Sequence, residues 1–225
     1  RFFAFSRAVG GEIVAAEFMN EPTAPFLAGV PKGWGAGDYA RDFRAFRAFA
    51  REIAPNMLVL GPGSVGEAHG KEGDLTTRQL LTASSPAVDV FSYHHYGAAS
   101  LRCADGDWWP QTSRQAALAE DWLASASRGL DYYRALRDTF EPGTPIWLTE
   151  TADTVCGGNP WAATFLDSFR YLDQLGRLAR GGVQSVMHNT LAASDYGLID
   201  EATLAPRPNY WCALLWRKLM GMTVF

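Results

Sequence analysis

Pro145-Ile146-Trp147-Leu148-Thr149-Glu150-Thr151 reads as a short, mostly apolar strand that ends on a carboxylate. Four more short apolar runs lie outward from it, at 12–18, 57–61, 88–93 and 183–188. Longer amphipathic stretches separate them. Large residues recur at three and four in Tyr39, Phe43, Phe46, Phe49 and Ile53, and again in Phe165, Phe169, Leu172 and Leu175, which predicts two helices covering a sheet. Further helices are predicted over 115–138 and from Asn209 to Met220, after the Pro206-Arg207-Pro208 punctuation. Strand and helix in alternation are the signature of βα units around a parallel sheet.

Five such runs are too few to close an eight-stranded barrel, which takes about 250 residues. The chain opens almost on a strand and stops at Phe225 with no terminal cap, so it reads as part of a larger protein. No repeat, low-complexity tract or domain linker interrupts it. Local pattern does not show closure, and an open, doubly wound five-stranded sheet stands as the alternative to a (β/α)8 TIM barrel. The chemistry favours the barrel.

Composition narrows the function. Of 225 residues, 48% are hydrophobic and 20% charged, an ordinary balance for a globular chain. The net charge of -4 and pI near 5.6 argue against a nucleic-acid binder, which would normally show a basic stripe. Arg177, Arg180, Arg217 and Lys218 read as solvated helix faces. No apolar run approaches the ~20 residues of a membrane span, and Arg1 to Ser6 lacks the regions of a signal peptide. Cys103, Cys156 and Cys212 match no zinc spacing, so no metal is expected.

A second carboxylate, Glu21, stands in Glu17-Phe18-Met19-Asn20-Glu21-Pro22, again at the end of an apolar strand. Strand C-terminal ends face the catalytic mouth of a βα barrel, so Glu21 and Glu150 are expected to share one cleft. Glycoside hydrolysis requires that pair. One protonated carboxyl serves the leaving oxygen and one ionised carboxylate attacks the anomeric carbon. Asn20 would set an amide beside the sugar 2-hydroxyl. Taken singly, each glutamate could be a helix cap or an ion-pair partner, and Asn20 a turn residue.

These segments resemble glycoside hydrolase family 79, which contains heparanases and β-glucuronidases. The resemblance runs through Asn20-Glu21-Pro22, Tyr93-His94-His95-Tyr96, Trp147 to Thr151 with Gly157-Gly158, and most specifically His188-Asn189-Thr190-Leu191-Ala192-Ala193-Ser194-Asp195-Tyr196-Gly197-Leu198 followed by Asn209-Tyr210-Trp211. It implies that residues 1–225 are the C-terminal part of a catalytic (β/α)8 barrel, about its fourth to eighth βα units, with the first strands and a following β-sandwich missing. Glu21 would be the acid/base and Glu150 the nucleophile of a retaining reaction without cofactor.

The implied substrate is a glucuronic-acid-containing glycan or glucuronide. Gly157 and Gly158 amides and the Tyr196 hydroxyl would bind its carboxylate, charge-assisted bonds that glycine permits by close approach. The competing reading is a Gly-Gly turn and a core tyrosine. His94 and His95 alternate across a strand, so at most one faces the cleft; by resemblance His95 would lie near the nucleophile. Asn189 would touch the sugar.

Two departures put the neighbouring-sugar sites in doubt: Gly97 stands where mammalian members carry a second Tyr after the histidine pair, and Cys156 replaces the tyrosine before the glycine run. Cys103 and Cys156, in loops after adjacent strands of the proposed barrel, are expected to form a disulfide if their Cα atoms lie within ~7 Å. Cys212 is expected as a buried thiol. Trp34, Trp108, Trp109 and Trp161 could stack on sugar or pack loops, and 98–114 is the expected specificity loop. Lys32, Lys71, Arg102 and Arg114 are candidate partners for an anionic polysaccharide. A polysaccharide hydrolase with a disulfide implies a secreted or periplasmic protein. A clan relative acting on a neutral sugar, and a non-catalytic carbohydrate-binding fragment, remain as alternatives.

Overall fold

The computed structural model describes residues 1–225 except 26–28, 71, 72, 74, 86, 87, 104–108, 222, 224 and 225. Its elements run α1 (Phe2–Ala8), β1 (Ala15–Glu17), α2 (Ala36–Ile53), β2 (Leu58–Ser64), α3 (Thr77–Ser84), β3 (Val90–Ala99), α4 (Glu120–Leu123), α5 (Ser125–Phe140), β4 (Ile146–Val155), α6 (Phe165–Arg180), β5 (Ser185–His188) and α7 (Pro208–Leu219). The strands form one sheet in the order β1-β2-β3-β4-β5. Ala15 to Glu17 pair in parallel with Leu58 to Leu60, and Leu60 to Ser64 with Val90 to Tyr93. Each strand thus adds beside its predecessor. A doubly wound sheet reverses direction at a switch point, so sequential order excludes that alternative and leaves the singly wound arrangement of a barrel.

Two compact units share these strands: Arg1–Glu67 with Glu72–Tyr93 and Arg134–Trp147, and Ala68–Lys71 with His94–Tyr133 and Leu148–Phe225. In the first, α2 turns Tyr39, Phe43 and Ala50 inward onto Met57 and Val59. Phe18 meets the rings of Tyr39, Phe43 and Phe46, with centroids 5.4–5.5 Å apart. Phe49, expected on that face, is instead largely exposed beside Phe3. Trp34 packs edge-on to Tyr39 and donates to Asp42, so it belongs to this core rather than to a sugar platform.

In the second unit α6 corrects the sequence reading. Phe165 and Phe169 are 68% and 63% exposed, whereas Asp167, Ser168, Arg170, Tyr171, Gln174 and Leu178 are buried. The physical reason is a polar network that the apolar stripe could not satisfy. Arg170 pairs with Asp167 and donates to Gln174, Asn209 of α7 donates to Asp167 and accepts from Ser168, and Gln174 donates to Thr151 of β4. Buried charges persist only when paired and hydrogen-bonded. That requirement outweighs the exposure of two phenyl rings.

Candidate active site

Glu21 follows β1 and is 8% exposed, while Asn20 before it is exposed. Its amide donates to the Gly63 carbonyl at 3.2 Å, and Thr23 exchanges hydrogen bonds with the backbone of Val65, both at 3.2 Å. The chain can come this close because residue 63 has no side chain: a Cβ there would lie 2.8 Å from the Glu17 carboxyl and 2.9 Å from the Met19 carbonyl. Gly63 also takes φ +70°, which L residues resist. Glu21 itself sits at φ 47°, a left-handed conformation uncommon for glutamate that clusters at functional sites.

Glu150 lies within β4, its side chain 28% exposed. Tyr96 donates its hydroxyl to Oε1, and Asn189 donates its amide to the same oxygen at 3.2 Å and to the Tyr96 hydroxyl at 2.8 Å. His94 Nδ1 stands 3.8 Å from Oε2. Burial, and then the charge of Glu150, push the Tyr96 phenol well above its ordinary range, so it stays a neutral donor. The Tyr96 carbonyl can only accept, so His69 Nε2 at 2.8 Å and Trp109 Nε1 at 3.4 Å both donate to it. Burial lowers the His69 pKa, consistent with that neutral ring.

His94, not His95, is the histidine that approaches the glutamate. Alternation along β3 turns His95 to the opposite face, where a Cβ on Gly129 would meet Nδ1 at 2.8 Å and Ser125 Oγ lies 3.5 Å from Nε2. Burial first, then the neighbouring His69, Arg170 and Arg128, push His95 down to about 3. It is a neutral packing histidine. Gly97 shares that face, and a Cβ there would lie 2.9 Å from the Trp122 ring, which accounts for glycine at this position.

Cys103 and Cys156 are disulfide-bonded with Cα atoms 6.3 Å apart, and Cys212 is free and buried. After the bridge, Gly157 and Gly158 turn at φ +83° and +87°. Their carbonyls are held: Asp195 donates its amide to Gly157 at 3.1 Å, and Ser100 its hydroxyl to Gly158 at 2.7 Å. Arg102, expected to meet substrate, pairs with Asp195 and donates to the Gly157 and Gly158 carbonyls at 3.4 and 3.3 Å. The Tyr196 hydroxyl is brought to the Gly157 backbone and the Ser194 side chain; burial raises its pKa, and hydrogen bonds from those two groups oppose the rise. Lys32 and Arg114 are exposed, and Lys71 and Trp108 lie outside the described residues. Trp109 and Trp161 are buried, packing the loops.

Tyr96, His94, His69 and Ser194 were missed as individual site residues. The period of two along β3 carries the signal for the first two, since residues 94 and 96 share a face with each other and not with 95. For His69 and Ser194 no local pattern existed.

No family model matches the chain. Mouse heparanase is 33% identical over 181 residues, 77% of this chain and 31% of that protein. Heparanase-like protein 1 of Arabidopsis thaliana is 28% identical over 224 residues, 99% of this chain and 39% of that protein. Baicalin-β-D-glucuronidase of Scutellaria baicalensis is 27% identical over 195 residues, 83% and 34% of the two chains. The chain therefore spans about a third of the length of these curated relatives. Among solved structures, a monomeric β-xylosidase from Caulobacter crescentus superposes with a TM-score of 0.70 at 18% identity, covering 98% of this chain and 45% of the other. A GH39 enzyme from Xanthomonas axonopodis gives 0.68 at 18% identity, covering 97% and 44%. That likeness fixes the fold as part of a (β/α)8 barrel. By its relatives, the chain belongs to glycoside hydrolase family 79, the family of the heparanases and β-glucuronidases.

Proposed function

We propose that the chain is the catalytic part of a retaining glycoside hydrolase that cleaves β-linked glucuronic acid. The observation that carries the reading is the set of donors gathered on Glu150, Tyr96 and Asn189 on one carboxylate oxygen, at a strand of a parallel sheet in a chain related to heparanase. Glu150 is the nucleophile. Its free oxygen attacks the anomeric carbon while Glu21 gives its proton to the leaving glycosidic oxygen, forming a glycosyl-enzyme ester. Glu21, now a carboxylate, takes a proton from water; the hydroxide adds to the anomeric carbon and Glu150 leaves, which restores both groups and the original configuration.

Uronic-acid selectivity is assigned to the Gly157 and Gly158 amides with the Tyr196 hydroxyl, neutral donors suited to a carboxylate. Asn20 is assigned to the sugar 2-hydroxyl, and Asn189 to orienting Glu150 and Tyr96. Lys32 and Arg114 remain candidate contacts for an anionic polysaccharide, while Arg102 acts through the glycine turn. The substrate is a glucuronide or a glucuronic-acid-containing glycan, the reaction needs no cofactor, and neither nucleic acid nor membrane is a partner. Export from the cytoplasm, to the exterior or the periplasm, suits the Cys103–Cys156 bridge. No described helix is long and apolar enough to cross a membrane.

Hydrolysis of an aryl β-glucuronide by the full-length protein, set against the matching β-glucoside and against Glu150→Gln, tests this. Glucuronide turnover that falls by about a thousandfold or more in the variant is expected. Preferential glucoside turnover overturns the uronic-acid assignment, and activity surviving in Glu150→Gln overturns the nucleophile.

A further inference from the structure

Beneath the Gly157–Gly158 turn lies an acid that the proposed reaction does not use. Asp153 of β4 is 2% exposed. Its Oδ2 accepts from the Asn159 amide at 3.1 Å and the Thr154 hydroxyl at 3.4 Å, which ties the acid to the far side of the turn. Its Oδ1 is buried without a hydrogen-bond partner among the described residues. A Cβ on Gly158 would stand 3.0 Å from that oxygen and 3.0 Å from the Tyr196 ring, so acid, turn and tyrosine form one packed cluster. Among the described residues no cation is ion-paired with Asp153. The Arg170 guanidinium is already paired with Asp167 and donates to Gln174. A buried carboxylate oxygen with neither a cation nor a donor is expensive, and taking up a proton relieves it.

We infer that Asp153 is a positioning and specificity residue, a buried carboxylic acid that holds the Gly157–Gly158 turn and, by gaining or losing its proton, makes the turn's affinity for an anionic substrate depend on pH. This rests on the uronic-acid reading of the site. Protonated, Asp153 adds no charge under donors meant for a carboxylate. Ionised, it sets a negative charge against the substrate's own. Burial first, then Asp167, push its pKa up to about 7, against the opposing effects of Arg170 and of the Asn159 and Thr154 backbone amides.

Other titratable groups also face this cluster. Asp167 and Arg170 from α6 are ion-paired with each other and act on Asp153 in opposite directions. His95 from β3, which lines the same small cavity, is pushed down to about 3. His188 of β5, whose ring contacts the Tyr196 carbonyl, is lowered by burial, and the Tyr196 phenol is raised by burial. Glu150, three residues earlier on the same strand, acts on charged and neutral substrates alike.

The test is KM and kcat for an aryl β-glucuronide from about pH 6 to pH 8 in the full-length protein and in Asp153→Asn, with the protonation of Asp153 followed separately by the carboxyl-carbon NMR shift. The expected result is a carboxyl that titrates near neutrality and a glucuronide KM that rises roughly tenfold across the range, the order expected of one charge within ~10 Å in a protein-like dielectric. Asp153→Asn should flatten that rise, whereas a merely structural role would change activity equally at both pH values. A carboxyl already ionised at about pH 6, or an unchanged KM profile in Asp153→Asn, overturns the inference while glucuronide turnover stands. Absence of glucuronide turnover in the unsubstituted protein overturns the uronic-acid reading, and the affinity role of Asp153 with it.

Discussion

Tyr96 reaches Glu150 through its hydroxyl and is itself held through its carbonyl, so the two ends of one residue can be tested apart. Tyr96→Phe keeps the ring and removes one bond to a charged group, which is worth about 1.5–3 kcal/mol. A loss of roughly 10- to 100-fold in kcat with little change in thermal stability is expected. Unchanged kcat would remove Tyr96 from the site. The neighbouring residue shows how far a sequence can be read at this scale. His94-His95 announces that one ring faces Glu150, yet the family pattern pointed to His95. The choice between them depends on which face of β3 meets the helices, and it was settled by Gly129 and Ser125, some thirty residues along the chain, closing around His95.

At the scale of the element, α6 separates stability from hydrophobicity. Asp167→Ala would strand the buried Arg170 guanidinium and is expected to cost about 3–5 kcal/mol, read as a lowered denaturation midpoint. Phe165→Ala, on the exposed face, is expected to stay within about 0.5 kcal/mol. The reverse order would mean that the phenyl face is the covered one. All five strands and helices α2, α6 and α7 were legible, because short apolar runs between amphipathic stretches depend on local sequence alone, whereas the helix expected over 115–138 is two, α4 and α5, and α1 and α3 were not read. The inward face of α6 was not. Its polar residues are buried through partners on β4 and α7, and no periodicity within the helix can reveal them.

Asp153 makes its own element pH-sensitive. Its carboxyl holds a proton more tightly in the folded chain, at about 7, than at the ordinary value of 3.8. The stability it contributes is therefore complete below that ordinary value and is lost as pH rises through about 7. Asp153→Asn, which cannot ionise, should be more stable than the native chain above that range and should show no such gain near pH 4, as urea midpoints would report. A gain independent of pH would show that Asp153 does not titrate there.

For the molecule as a whole, the Cys103–Cys156 bridge closes a loop with a sequence separation of 53, and cross-links of that span stabilise by about 4 kcal/mol in the chain-entropy account. Cys103→Ser should lower the melting temperature and raise the glucuronide KM more than it lowers kcat, because the bridge adjoins the Gly157–Gly158 turn and not the donors on Glu150. Equal loss in both constants would place the bridge in general folding alone. The sequential strand order has a consequence for biogenesis. Among the five described strands, each one after β1 finds a sheet partner in the βα unit just synthesised. Contacts of short range are won before long loops must be closed, so the sheet can lengthen one βα unit at a time as the chain leaves the ribosome, with its growing edge always the newest strand.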